Sequence, residues 1–367
     1  MNETLKYQIA LSMLPGIGGV LARNLVAYVG SVEEIFTSSL PALQKIPGIG
    51  EFNARKIKNS SVLDKAEKEL EFIHKNNIQT SFYTDSGFPR RLKNCIDAPV
   101  ILYSKGNVKF DVQRVISIVG TRNATDYGKE VVDALIKSFA ERGYEILVVS
   151  GLAYGIDIHA HRSALKYNVP TVGVVAHGLN KLYPALHKET AAKMQEQGGL
   201  VSDFHSRTKI DPQNFIKRNR IIAGLADATI VVESAEKGGA LITADIASSY
   251  NRDVFAFPGR AGDAYSKGCN QLIRNSGANL IEGIDDLEYF MGWEVIEQKD
   301  VFQSSLFIDL LPEEQKIVDL LRAEGELFID QISAELKLPV SRVSIHMINL
   351  EFKNVLTALP GKMYKLR

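Results

Sequence analysis

Apolar positions recur every three to four residues through the first 80 residues, at Leu21, Leu25, Val26 and Val29 and again at Leu63, Leu70 and Ile73, within a charged background. That spacing puts them on one face of short amphipathic helices and predicts an all-helical head. At Arg114 the pattern changes. Short apolar runs rich in Val and Ile, at 115–119, 146–149, 172–175, 200–201, 229–232, 254–257 and 279–281, each close on Gly or a small polar residue and lead into a helical stretch. Strand alternating with helix predicts a doubly wound, mainly parallel α/β sheet. Beyond a polar stretch, helical patterns at 313–323, 329–336 and 341–352 precede a short strand pair around Pro360-Gly361, the order of a winged helix-turn-helix. The expected organisation is a helical domain at 1–80, a connecting segment at 81–110, an α/β domain at 111–292, a linker at 293–305 and a winged-helix domain at 306–367.

Composition narrows the class. At roughly 150 residues per domain, 367 residues predict two or three domains. An apolar fraction of 45% excludes a mostly disordered chain, because enough surface can be buried to offset the ordering entropy. The 43 basic and 43 acidic residues balance to zero and give no global hint of a nucleic-acid partner. That balance is an average: residues 1–110 carry 14 basic and 10 acidic residues, residues 111–290 carry 20 and 21, and residues 291–367 carry 9 and 12. Such a gradient is expected of separate modules. Cys95 and Cys269 lie far apart with no Cys or His at ligand spacing, so neither a disulfide framework nor a structural zinc is expected, and a reducing cytoplasm fits. The first residues lack a signal-peptide pattern and apolar residues nowhere run long enough to span a bilayer, so no membrane anchor is expected.

One repeat carries chemistry. Leu14-Pro15-Gly16-Ile17-Gly18 returns 32 residues later as Ile46-Pro47-Gly48-Ile49-Gly50, each leading to an Ala-Arg pair, Ala22-Arg23 and Ala54-Arg55. Such a turn between two helices is the hairpin of a helix-hairpin-helix motif. Its glycines, Gly16, Gly18, Gly48 and Gly50, would let backbone N–H groups approach a DNA phosphate. The same unit also serves as a protein contact or as plain structure, and both readings stay open. Phosphate contacts of this kind position DNA without reading its sequence.

In open α/β sheets the ligand sits beyond the carboxyl ends of the strands, so the residues after each run matter most. The first run ends in Val119-Gly120-Thr121-Arg122, which places a cation there, and the second in Ser150-Gly151-Leu152-Ala153-Tyr154-Gly155-Ile156-Asp157, a Gly-rich loop suited to an anion. Asn214-Phe215-Ile216-Lys217-Arg218-Asn219-Arg220 opens a helix with three cations, an aromatic ring and no acid; Glu233-Ser234-Ala235-Glu236-Lys237-Gly238-Gly239 forms a second glycine loop. Together they predict a basic, glycine-walled crevice for single-stranded nucleic acid, whose backbone follows a positive groove while its bases stack on rings. A dinucleotide site fits poorly: Gly-Thr-Arg-Asn-Ala-Thr replaces Gly-x-Gly-x-x-Gly, and Ser150-Gly151 stands where a ribose-binding acid belongs. Surface ion pairing of the arginines and burial of Phe215 under its helix are the plainer alternatives.

Further text extends the pattern in order: Tyr127-Gly128, Ala160-His161-Arg162, Tyr183-Pro184, Ile221-Ile222-Ala223-Gly224-Leu225, Phe257-Pro258-Gly259, Gly268-x-Asn270-x-Leu272-Ile273-Arg274, and upstream Phe88-Pro89, Ala98-Pro99 and Leu102-Tyr103. With these motifs the chain resembles the DNA-processing protein DprA (Smf) family over nearly its whole length. The resemblance implies a Rossmann-like central domain that forms a homodimer, with Arg122 and residues 215–220 lining a DNA pocket. It also implies a cytoplasmic protein that binds and protects incoming single-stranded DNA in natural transformation and loads the RecA recombinase onto it. With the glycine loops, the expected DNA-binding set is Arg122, Gly151, Phe215, Lys217, Arg218, Asn219, Arg220, Lys237 and Gly239. No cofactor and no metal are expected. The chain departs from the family at Asn180, usually Asp, and His187, usually Asn.

Catalysis has two candidate readings. Asp157, His159 and His161 hint at a metal-assisted hydrolase, but on a helix only Asp157 and His161 share a face, which predicts an Asp–His hydrogen bond bracing the helix. The alternative function is a nucleotide phosphohydrolase using the same crevice. Related enzymes carry Pro-Gly-Gly-x-Gly-Thr-x-x-Glu after the corresponding strand. Here the text is Lys237-Gly238-Gly239-Ala240-Leu241-Ile242-Thr243-Ala244-Asp245, with the third Gly and the following Thr lost and the acid shortened. A base must lie within hydrogen-bond reach of its target, so a non-enzyme is expected. In the winged helix, the third helix offers Arg342 and His346 with Glu351 inside an acidic tail; phosphate repulsion favours protein contact over DNA contact.

Overall fold

The computed structural model describes residues 3–59, 61–293, 310–353, 355–359 and 363–366; the expected linker beyond residue 293 and the turn at Pro360-Gly361 lie outside the described residues. The chain divides into two compact units, Met1–Val295 and Ile296–Arg367. The first begins with α1 (Glu3–Ser12), α2 (Gly19–Val29), α3 (Val32–Thr37), α4 (Leu40–Gln44), α5 (Glu51–Asn59) and α6 (Val62–Lys75). Gly16 and Gly48 share a φ of +82°, a left-handed turn that a side chain would strain. Each turn closes when Ile17 N–H donates to Leu14 O (3.2 Å) and Ile49 N–H to Ile46 O (3.0 Å). The hairpins interlock, since a Cβ on Gly48 would meet Leu21 Cδ2 at 2.6 Å. The repeat is a tandem helix-hairpin-helix.

The chain then enters the sheet with β1 (Gln79–Phe82), α7 (Arg90–Lys93) and β2 (Ile101–Gly106). It continues through β3 (Arg114–Val119), α8 (Asp126–Glu141), β4 (Ile146–Ser150), α9 (Ile156–Lys166), β5 (Thr171–Val174), α10 (Lys188–Gln197), β6 (Gly199–Ser202) and α11 (Pro212–Leu225). The unit closes with β7 (Ala228–Val231), α12 (Gly239–Ser249), β8 (Asp253–Ala256), α13 (Lys267–Arg274), β9 (Asn279–Leu280) and α14 (Ile284–Met291). Strand order is β1-β2-β6-β5-β4-β3-β7-β8-β9. From β6 to β9 all neighbours are parallel; β1 and β2 add on antiparallel, with Gln79 opposite Ser104 and Tyr103 opposite Ser202. Within the expected connecting segment 81–110, residues 81–82 and 101–106 are therefore strand residues of the sheet, with α7 between them. β1 is too short and too mixed in burial to show a strand period, and only half of β2 is apolar.

Alternate residues of the central strands face opposite layers. Val115, Val119, Leu147 and Val149 pack with Ile221, Ile222 and Leu225 of α11 and Ala244 of α12. Ile116, Ile118, Ile146 and Val148 pack with Val132, Ile136 and Phe139 of α8 and Ala160 of α9. Strands covered on both sides read as continuous apolar runs, which is why the sequence pattern exposes them. This is a Rossmann-like, doubly wound sheet.

The second unit contains α15 (Pro312–Glu324), β10 (Leu327–Phe328), α16 (Ile329–Leu336), α17 (Val340–Phe352), β11 (Leu356–Leu359) and β12 (Met363–Leu366), with strand order β10-β12-β11. Ile317, Leu321, Ile332, Val343, Met347 and Leu350 form its core. This is a winged helix. Among the described residues, no helix is long and apolar enough to cross a membrane.

Candidate nucleic-acid interface

β4, β5 and β6 follow β3 on one side and β7, β8 and β9 run away on the other, so the strand order reverses between β3 and β7. A crevice opens at such a switch point, beyond the strand ends. Here it is a cavity of about 400 Å³ lined by Thr121, Arg122, Asp157, Phe215, Arg218, Asn219, Ser234, Gly238 and Gly239, among others. The first turns of α9 and α12 contribute Asp157, Gly239 and Ala240 to its wall, and unpaired N–H groups at helix starts carry partial positive charge.

Arg122 is exposed, and its guanidinium carbon sits 5.8 Å from the Phe215 ring centroid. Phe215 in turn meets Tyr183 edge to face, with centroids 5.9 Å apart. A cation and a ring thus stand together at the mouth, the pairing that a phosphate and a base need. Arg218 is different in kind. It is 4% exposed, at the floor, donating through Nη1 to the carbonyls of Gly151 (2.6 Å) and Val174. Burial lowers its pKa to about 10, opposed by the neighbouring Asp157, so it stays charged at neutral pH. Asp157 Oδ2 accepts from Gly151 N–H at 3.1 Å; burial pushes this carboxyl's pKa up and Arg218 pulls it back. Gly151 is required by close approach, since a Cβ there would come within 2.6 Å of both Arg218 and Asp157. Arg218 and Asp157 cancel, which leaves Arg122 as the free charge among the described residues lining the cavity.

The other expected cations go elsewhere. Lys217 and Lys237 are exposed and lie outside the lining, and so does Arg220. Arg220 pairs with Asp203 and donates to Asp97 O, because it shares the back of α11 with Gly224, where a Cβ would strike Leu92 at 2.6 Å. Residues 215, 218, 219 and 222 recur at helical spacing on the cavity side. The expected Asp157–His161 hydrogen bond is also replaced: His161 Nδ1 bonds Thr171 Oγ1 at 2.7 Å, and Asp157 braces the loop at Gly151 instead. His187 is buried and bonds Leu152 O at 2.9 Å, whereas Asn180 is exposed; neither lines the cavity.

Gly16, Gly18, Gly48 and Gly50 are all exposed, but the two hairpins differ. The start of α2 is docked on residues 96–98: a Cβ on Gly19 would meet Ala98 O at 2.2 Å, and Arg23 donates to the carbonyls of Ala98 (3.2 Å) and Ile96. The start of α5 presents Phe52, 71% exposed, with Lys56 Nζ 4.0 Å from its ring centroid.

Sequence reading missed a second cavity, of about 1080 Å³, lined by Tyr127, Glu233, Arg260, Asp263 and Tyr265 among others. Phe257-Pro258-Gly259 marked the start of its loop, but nothing in that motif announces the rings beyond. In the winged helix, the basic side chains on and just after α17 are taken up: Glu313 pairs with Arg342 (3.2 Å) and hydrogen-bonds His346 (2.7 Å), and Glu314 accepts from Lys353 (2.7 Å). Its outer face shows Ile345, Ile348 and Phe352, each more than half exposed.

Comparison with known proteins agrees with this architecture. The profile of a family described as DNA recombination-mediator protein A matches residues 79–292, a SAM-like helix-hairpin-helix tandem matches residues 9–60, and a DprA winged-helix domain matches residues 308–362. Protein Smf of Synechocystis sp. is 30% identical over 402 aligned residues, covering 100% of both chains. The X-ray structure of DNA processing protein A from Streptococcus pneumoniae superposes with a TM-score of 0.64 at 28% identity, over 77% of this chain and 97% of that one. DNA processing protein A from Helicobacter pylori, solved for its single-stranded DNA binding mode, gives a TM-score of 0.53 at 26% identity over 58% of this chain and 95% of that one. A tandem hairpin head, a switch-point cavity and a winged helix in this order, matched over their lengths, make the chain a member of the DNA recombination-mediator protein A (DprA, Smf) family.

Proposed function

We infer that the protein binds single-stranded DNA in the switch-point cavity, protects it, and passes it to the RecA recombinase during natural transformation. One observation carries this reading: Arg122 stands 5.8 Å from the Phe215 ring at the mouth of a glycine-walled cavity. A phosphate meets the cation while the adjoining base meets the ring, an arrangement tolerant of sequence. The single-stranded DNA binding of the Helicobacter pylori relative supports the same class of ligand. Gly239 holds the wall, Arg218 and Asn219 the floor and side; Gly151 lies behind the lining, where it accepts from Arg218 and donates to Asp157, and Lys217 and Lys237 are exposed outside the lining. Arg220 is assigned to the architecture.

A non-enzymatic role is supported by the carboxylates. Asp245 is exposed on α12 and outside the cavity lining, and Asp157 is already engaged by Gly151 and Arg218. Neither is free to act as a base on a nucleotide. Homodimerisation through the sheet domain is supported by β9, an edge strand that exposes Leu280, followed on α14 by the exposed Tyr289 and Phe290. The winged helix, with Arg342 and Lys353 paired to Glu313 and Glu314 and the outer face of α17 apolar, is assigned to protein contact.

Fluorescence anisotropy with single- and double-stranded oligomers over a salt series tests the reading. Wild type is expected to prefer single strands. Arg122→Ala is expected to weaken binding and to flatten the log–log salt slope by about 0.7 for each phosphate no longer neutralised. Phe215→Ala is expected to weaken binding by about tenfold at unchanged slope, since stacking releases no counterion. Equal affinity for both strand forms, or an Arg122→Ala variant with the wild-type slope, would sink it.

A further inference from the structure

The second cavity shares a wall with the first. Thr121 and Arg122 line one while Thr125, on the same turn after β3, lines the other; Ser234 lines the first while Glu233, at the end of β7, lines the second. Between them, Asn123 Nδ2 donates to Tyr265 Oη at 3.0 Å, and Ser234 N–H donates to the Tyr265 carbonyl at 2.7 Å. The partition is one hydrogen-bonded layer thick.

Its lining is built for a flat, uncharged group. Tyr127 is 45% exposed, yet its hydroxyl is tied to Pro258 O at 2.6 Å, and Tyr265 is fixed at both its hydroxyl and its backbone. Rings already held in place lose little freedom when a partner stacks on them. Glu233 is 4% exposed, and its two oxygens accept from Thr125 Oγ1 (2.5 Å) and Thr125 N–H (2.9 Å). A buried anion there repels a phosphate from the interior. Arg260 and Asp263, both exposed, offset one another at the edge. Rings, a buried acid and a balanced edge together accept a nucleobase inside while its sugar and phosphate remain outside by Arg260.

We propose that this second cavity is a base-stacking subsite for the same single strand, taking nucleotides that leave the Arg122–Phe215 cavity across the Asn123–Tyr265 ridge. The proposal rests on the single-strand reading above and adds a second point of grip, one that owes its strength to stacking.

The test is anisotropy with labelled oligothymidylates of graded length against full-length wild type, Tyr265→Ala, Tyr127→Ala, Tyr265→Phe and Arg122→Ala, with thermal melts to confirm folding. Both single-ring alanine variants, Tyr265→Ala and Tyr127→Ala, are expected to bind the shortest oligomers as wild type does and to bind longer ones about tenfold more weakly, an effect of about 1.4 kcal/mol of base stacking. Their salt slopes should match wild type, and Tyr265→Phe, which keeps the ring and its backbone anchor but not the hydroxyl tether, should lose much less affinity than Tyr265→Ala. Equal binding at every length, while Arg122→Ala stays impaired, overturns the subsite and leaves the first cavity standing. A loss that is the same at every length, or as large in Tyr265→Phe as in Tyr265→Ala, also overturns it, because the residues would then act by shaping the first cavity. Wild type without preference for single strands overturns the reading on which the proposal rests.

Discussion

His161 is fully buried on α9, with Nδ1 on Thr171 Oγ1 and Nε2 without a hydrogen-bond partner. Burial drives its pKa down from 6.5 to about 3, with smaller contributions from His187 and Arg218. The unfolded chain therefore takes up a proton near pH 6.5 that the folded protein refuses until about pH 3. Between those values the unfolded state binds more protons, so stability rises with pH. At pH 5 this residue alone costs the fold about 2 kcal/mol relative to pH 7. His177, His187 and His205 are shifted down by burial and act in the same sense. Asp157 and Asp203, raised by burial, act in the opposite sense above pH 3.8. The melting temperature is expected to fall from pH 7 to pH 5, and less steeply in His161→Gln; parallel profiles would refute the assignment. Residue types at strand ends made Arg122, Phe215 and Gly239 legible as cavity residues. What they could not reveal is direction: Arg218 and Arg220 read alike, yet one turns inward to carbonyls and the other to Asp203.

α11 shows the same point for a whole element. One side carries Phe215, Arg218, Asn219 and Ile222 into the cavity, and the other carries Arg220 and Gly224 onto residues 92–97. A helix opening with three cations and a ring suggests a binding face, but its phase is set by packing against the sheet, through Ile221, Ile222 and Leu225. The buried strands β3 to β8 were legible from their apolar runs, while β1, with mixed burial, and β2, only half apolar, were not. Removing the guanidinium of Arg220 would leave Asp203, 11% exposed, without its cation. Arg220→Ala is thus expected to destabilise the protein by about 3 kcal/mol in chemical denaturation while leaving the salt slope of DNA binding at the wild-type value. A stable variant with a flatter slope would return Arg220 to the cavity.

For the whole molecule, zero net charge conceals a local grip: among the described residues lining the cavity, one free cation beside a ring, with the neighbouring charges paired. Association should then owe little to a long-range field. The protein-contact assignment keeps the winged helix out of that grip, since Glu313 and Glu314 hold Arg342, His346 and Lys353. Deleting residues 306–367 is expected to leave single-strand affinity within about twofold of wild type; a tenfold loss would reassign this unit to DNA. The boundary between head and sheet has another consequence. Ile78, Phe82, Val100, Ile101 and Tyr103, on and around the first two strands, belong to the same core as Ile9, Leu25 and Leu70 of the helices. Deleting the helices alone would open that whole apolar face to water at once, so in this chain the helical head and the first two strands stand or fall as one packed block.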